Sequence, residues 1–277
     1  MRRFKQVDAF TDRAFHGNPV AVVLDAEGLD TAQMQHIARW TNLSETTFLL
    51  ASKAADYRLR IFSPSRELPF AGHPTIGSAH AVVESGFAKP KNGRLRQECG
   101  AGVLDLVLDD GVIFVRSPPV KLTPLANIGS SVGIPLAPGA PLLRADVGPV
   151  WLVGEVTDAA ALAALKPDMT ALAEWSTSLD ATGVTVFAKS GERNCAIHVR
   201  SFAPGHGIPE DPVCGSGNIC VAAYLRHNGD ARFGAAYVAR QGMQVGRDGR
   251  VSVRVARDAI ELGGRAVTCV EGVLKTL

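Results

Sequence analysis

One pattern occurs twice in this chain, and it limits the fold more than any other feature. R-I-F-S-P at 60–64 is followed by E-L-P-F-A-G-H at 67–73, and R-S-F-A-P at 200–204 by E-D-P-V-C-G-S at 210–216. Arg60, Phe62 and Pro64 match Arg200, Phe202 and Pro204; Glu67, Pro69 and Gly72 match Glu210, Pro212 and Gly215. Each copy runs into a small-residue apolar stretch, P-T-I-G-S-A-H-A-V-V in the first and G-N-I-C-V-A-A-Y-L in the second. A repeat at about half the chain length predicts two similar lobes facing each other. It also predicts two loop-to-helix turns, each a cluster of backbone N–H groups able to hold an anion.

The rest of the pattern fills in those lobes. Residues 4–11 alternate apolar and polar, and 18–24, 46–51 and 57–62 read as further strands. Residues 104–116 read as a hairpin turning at Asp110-Gly111. A surface helix is expected over 31–41, with Asp30 or Thr31 as N-cap and Met34, Ile37 and Ala38 on its buried stripe. The stretches 74–85 and 217–227 are apolar nearly all round, so each belongs inside a core. In the second half, strands are expected at 150–156, 183–188 and 196–202, with a helical stretch near 158–175. Four short strands close the chain, with turns at Asp248-Gly249 and Gly263-Gly264. The fold class is therefore α+β: two pseudo-symmetric lobes, each an antiparallel β-barrel around a central α-helix, with the active site in the cleft between. Residues 118–149 hold seven of the sixteen prolines and mark the crossing. The N-terminal lobe is placed at 1–118, with the C-terminal tail available to complete it, and the C-terminal lobe at 119–277.

Composition removes several function classes. Basic and acidic residues number 29 and 27 and are well mixed, which argues against a nucleic-acid partner. No 18-residue apolar run or signal-like start appears, so neither membrane insertion nor export is expected. Five cysteines without paired spacing suit free thiols in a reducing cytoplasm. Cys214 and Cys220 lack the partners of a zinc site, and the expectation for metal is none.

Several side chains stand where chemistry could be done. Glu45, at the mouth of the apolar strand F-L-L, would be desolvated and its pKa raised toward neutrality, which suits proton shuttling; otherwise it is a surface carboxylate paired with an arginine. His73, at the lip of a buried helix, either serves a substrate or caps its own helix. Asp211 either orients a substrate amine or shapes a turn. The backbone at Gly72, Gly215 and Ser216 can approach an anionic ligand closely. Cys214 sits before a helix N-terminus that would depress its pKa, or is simply a small buried residue. Its repeat mate is Ala71, which damages a two-thiol racemase. Glu67 and Glu210 are expected to bond Arg60 or Arg200, or backbone across the seam.

The stretches D-A-F-T-D-R-A-F-H-G-N-P-V-A-V-V, L-S-E-T-T-F, F-A-G-H-P-T-I-G-S-A-H and E-D-P-V-C-G-S-G together resemble the PhzF-like isomerase family, which shares the diaminopimelate epimerase-like fold. The resemblance implies a cofactor-free isomerase acting on a small anionic metabolite, a dihydro-hydroxyanthranilate type being one candidate. It implies Glu45 as general acid/base, with His73, Asp211 and Ser216 lining the site, and a homodimer. Two alternatives stay open: a hydrolase or epimerase using Cys214, and a non-catalytic metabolite-binding protein.

Overall fold

The computed structural model describes residues 1–125 and 132–275; residues 126–131 of the proline-rich crossing lie outside them. The chain forms two units, Met1–Arg116 with Gly263–Leu277, and Ser117–Leu262. The C-terminal segment thus returns to the first unit.

Unit 1 contains β1 (Arg2–Ala9), β2 (Asn18–Val23), α1 (Thr31–Thr41), β3 (Thr46–Leu50), β4 (Tyr57–Phe62), β5 (Glu67–Leu68), α2 (Gly72–Glu84), β6 (Arg94–Cys99), β7 (Gly102–Asp109) and β8 (Val112–Arg116). In unit 2 come β9 (Lys121–Leu125), β10 (Leu142–Asp146), β11 (Val150–Glu155), α3 (Ala159–Ala164), α4 (Met169–Ser178), β12 (Gly183–Lys189), β13 (Ile197–Ala203), β14 (Ile208–Asp211), α5 (Gly215–His227), β15 (Ala236–Gln241) and β16 (Gly249–Val255). β17 (Ile260–Gly264) spans the boundary, and β18 (Ala266–Leu274) pairs antiparallel with β1.

The strand ladder repeats as the sequence does. β1–β2 and β3–β4 are antiparallel, whereas β2–β3 and β4–β6 are parallel. β10–β11 and β12–β13 are antiparallel, whereas β11–β12 and β13–β15 are parallel. The parallel pairs were not expected. Each falls where a helix supplies the crossover that parallel neighbours require: α1 and α2 in the first unit, α3–α4 and α5 in the second.

α2 packs on β1, β2 and β8, and α5 on β10, β11, β12 and β16, which accounts for their missing polar faces. At Gly77 a Cβ would stand 2.4 Å from Val20 Cγ1, so the glycine lets α2 sit down on β2. Each unit's strand arginine makes a two-point ion pair with its repeat glutamate, Arg60 with Glu67 and Arg200 with Glu210. Each guanidinium also lies over a phenylalanine ring, Phe62 or Phe202.

Other differences have local causes. α2 and α5 begin at Gly72 and Gly215, two residues before the expected starts, so Pro74 takes the third helical position, still within the turn whose N–H groups lack partners. The helical stretch near 158–175 is two helices, split at Pro167, with Asp168 capping the second through Thr170 and Ala171. Gly263-Gly264 is strand, not turn. A Cβ at these positions would stand 2.4 Å from the Phe114 ring and 2.5 Å from the Phe10 ring, so aromatic packing, not chain reversal, requires the glycines. Likewise Gly249 opens β16 and carries no turn; its Cβ would stand 2.4 Å from Val213 Cγ2.

Candidate functional site

In unit 1 the site grows from the junction of α1 with β3. Asn42 ends α1 in the left-handed conformation, at φ 55°, and turns the chain so that Glu45 precedes β3. The Glu45 carbonyl accepts from Ala21 N on β2, and the Thr41 and Thr46 hydroxyls bond at 2.6 Å, which closes the turn. Thr47 Oγ1 bonds Ser78 Oγ at 2.8 Å and so ties β3 to α2. That tie brings the Glu45 carboxylate to the second residue of α2, with Oε2 at 3.2 Å from His73 Nε2.

The electrostatics at this contact are unusual. The Glu45 side chain is 16% exposed and that of His73 8%. Glu45 Oε2 is buried and takes up no aligned hydrogen bond. Burial pushes the Glu45 carboxyl up to about 7, against a smaller opposing pull from a Ser44 hydrogen bond. A carboxylate there can take or release a proton near neutral pH. The partner of Glu45 is His73, in place of the arginine of the alternative reading. The N-cap of this helix is Ala71, which makes no side-chain cap hydrogen bond.

In unit 2 one turn carries the remaining residues. Asp211 ends β14, and its Oδ1 accepts from Val213 N at 3.0 Å, the turn-forming role. Gln241 Nε2 holds the Asp211 carbonyl at 3.0 Å. Cys214 is the N-cap of α5, and its Sγ accepts from Gly217 N at 3.3 Å. The sequence reading has a helix N-terminus depressing this thiol; instead burial raises it well above its ordinary value, with the Asp211 charge adding to the effect. Desolvation outweighs the helix end here because Cys214 is buried. Ser216 Oγ accepts from the Trp151 indole at 2.9 Å, which orients the hydroxyl. Gly217 must stay bare, because a Cβ there would stand 2.7 Å from Thr185 Oγ1 and 2.8 Å from Ser201 Oγ.

Among the sequence-singled residues, then, Glu45, Gly72 and His73 converge within unit 1, and Asp211, Cys214, Gly215 and Ser216 share one turn in unit 2. The sequence reading does not single out Ser44, Thr47 or Trp151: Thr47 and Trp151 matter through partners distant in the chain, Ser78 and Ser216, whereas Ser44 bonds its neighbour Glu45. Strand register also equates Glu45 with a residue in the second unit. Thr46 pairs with Phe62 and Val184 with Phe202. The residue before Val184 is Gly183, where a Cβ would stand 2.0 Å from the Phe202 carbonyl oxygen. The repeat therefore carries a carboxylate in one unit and no side chain in the other. Among the described residues no helix is long and apolar enough to cross a membrane.

Comparison with known proteins locates this arrangement. Residues 7–272 match the family described as phenazine biosynthesis-like protein (PhzC-PhzF). The chain is 41% identical to Antisense-enhancing sequence 1 of Schizosaccharomyces pombe, covering 97% of each. It is 33% identical to trans-2,3-dihydro-3-hydroxyanthranilate isomerase of Pseudomonas chlororaphis, covering 99% of each. A PhzF-family phenazine biosynthesis protein from Bacillus anthracis superposes with a TM-score of 0.89 at 27% identity, covering 99% of both chains.

Proposed function

The chain belongs to the phenazine biosynthesis-like protein family and is an isomerase, and from that premise we propose that it moves a proton between carbons of a small carboxylate-bearing metabolite without a cofactor. The observation that carries this reading is the Glu45 carboxyl, buried against His73 and poised near neutrality. Glu45 removes the proton from an acidic C–H and returns it to a second carbon. His73, which faces Glu45 Oε2, or Asp211 receives the substrate's amine or hydroxyl. Backbone N–H groups at the helix start of each unit, Gly72 in unit 1 and Gly215 and Ser216 in unit 2, are each suited to an anion, and the Ser216 hydroxyl, already accepting from Trp151, keeps its own proton to donate. Charge developing on the substrate carboxylate is stabilised by such fixed donors. A trans-2,3-dihydro-3-hydroxyanthranilate-type molecule, named for the Pseudomonas relative, meets these requirements. A cytoplasmic homodimer accompanies the proposal, with light scattering as its check.

Cys214 chemistry has less support. A buried thiol raised well above its ordinary value and engaged as a helix cap is a poor nucleophile. A purely binding role leaves the raised Glu45 carboxyl without purpose.

The test is solvent-deuterium incorporation, followed by NMR, into trans-2,3-dihydro-3-hydroxyanthranilate and a panel of small amino- and hydroxy-acids. Wild-type enzyme labels its substrate carbon; Glu45→Gln loses about 10²–10⁴-fold in exchange rate while still binding. Undiminished exchange in the variant removes Glu45 from the role.

A further inference from the structure

The loop joining β12 to β13, with the start of β13, holds polar groups that the isomerase reading does not use. Its sequence, S190-G-E192-R-N-C195-A-I-H198, spaces a carboxylate, a thiol and an imidazole three residues apart. Cys195 and Ser190 are buried, and Glu192 lies at the surface. Ligand atoms of Glu192, Cys195 and His198 all lie within 4.8 Å of one another.

The separations have a definite form. Ser190 Oγ stands 3.2 Å from His198 Nε2 and 3.1 Å from Cys195 Sγ. Glu192 Oε1 stands 3.1 Å from His198 Nε2, and Glu192 Oε2 3.6 Å from Cys195 Sγ. Ligands at 2.0–2.3 Å from a tetrahedral zinc ion are about 3.3–3.8 Å apart, so the Ser190–His198 and Ser190–Cys195 edges need only a few tenths of an ångström of expansion and the Glu192 Oε2–Cys195 edge none. A Ser–His–Glu relay is excluded, because Ser190 and Glu192 both meet the same ring nitrogen, whereas a relay needs one on each.

We propose that Ser190, Glu192, Cys195 and His198 form a mononuclear Zn²⁺ site. Thiolate and carboxylate neutralise the ion's charge, and imidazole with thiolate selects zinc over magnesium or calcium. Ser190 marks the fourth corner, which its hydroxyl or an exogenous ligand fills. A surface depression of ≈440 Å³, lined in part by Ser190, Glu192 and Cys195, gives the ion a way in. Arg240 pairs with Glu192 Oε1 at 2.5 Å and is itself balanced by Asp248 at 2.7 Å. It therefore anchors the carboxylate and leaves Oε2 turned toward Cys195.

The test loads the intact protein with Zn²⁺, then with Co²⁺, against a chromophoric chelator. One ion per chain is expected, with a thiolate-to-cobalt charge-transfer band. Cys195→Ser and His198→Ala each weaken zinc binding by about 100-fold or more, while Cys269→Ser leaves it unchanged. Wild-type protein supplies a reading that needs no variant: zinc shields Cys195 from iodoacetamide, as mapped by mass spectrometry. Alkylation of Cys195 at the same rate with and without zinc, or a cobalt complex lacking the thiolate band, overturns the site.

Discussion

Replacing Glu45 by glutamine should stabilise the protein, and by an amount that depends on pH. The folded chain holds the Glu45 proton up to about pH 7, whereas the unfolded chain releases it near the ordinary value of 4.5. Below about pH 4.5 both states carry the proton and no penalty exists. Between about 4.5 and 7 the folded state binds more protons than the unfolded one, so stability falls as pH rises, by about 1.4 kcal/mol per pH unit. Above about 7 the full cost of the buried charge, about 3 kcal/mol, is present. With 16% of the side chain exposed, solvent screening takes little from that figure. Glutamine has no such transition. The variant's advantage over wild type should therefore grow by about 3 kcal/mol from pH 4 to pH 8.

Urea unfolding at a series of pH values reads this difference, and hydrogen exchange at β3 and α2 amides assigns it to unit 1. A difference that stays level across the series would mean that Glu45 ionises like any surface carboxylate. The acid/base proposal would then lose its physical basis. A gain in stability combined with a loss of proton transfer is the trade expected where a site holds a charge in unfavourable surroundings.

The two repeat ion pairs should behave differently. The Arg200 and Glu210 side chains are 7% and 8% exposed, and Arg200 also donates to the Leu162 and Leu165 carbonyls, so Arg200→Ala should cost about 3–5 kcal/mol in unfolding experiments. Arg60 and Glu67 are 17% and 40% exposed, and Arg60→Ala should cost about 1 kcal/mol. Cys214→Ala removes the cap on Gly217 and should lower stability by about 1 kcal/mol, while proton exchange into substrate persists; loss of exchange with folding intact would restore the thiol to the mechanism.

Where the determinant is local, the sequence already shows the structure. α1 occupies the expected 31–41 because Asp30 and Gln33 form a reciprocal cap at one end and Asn42 turns left-handed at the other. The hairpin turns at Asp110-Gly111 because both residues take positive φ, 46° and 75°. Gly263-Gly264 misleads because glycine serves close packing as readily as turning, and only the positions of Phe10 and Phe114 decide between them. Glu45 is legible as a candidate from its apolar flank, but its contact with His73 depends on the Thr47–Ser78 bond between β3 and α2. The E-x₂-C-x₂-H spacing lay in plain view; what hid it was the absence of the paired cysteines by which zinc sites are usually read.

A symmetric frame bearing asymmetric chemistry narrows the reaction that the proposal allows. The frame recurs in detail: beyond the arginine–glutamate pairs, Thr75 bonds Gln97 in one unit and its repeat mate Asn218 bonds Gln241 in the other. The sense differs: Gln97 donates to Thr75, whereas Asn218 donates to Gln241. The differences fall at Glu45 against Gly183, Ala71 against Cys214 and His73 against Ser216. Inversion at one carbon requires a proton to leave one face and arrive at the other, and so a base on each side. The repeat offers a carboxylate once and bare glycine at its mate, so the proposal makes Glu45 the single proton carrier. One carboxylate must return the proton it took, and net change then requires delivery to a different carbon within its reach. Under the proposal, movement of a double bond, not inversion of a centre, is the chemistry expected of Glu45.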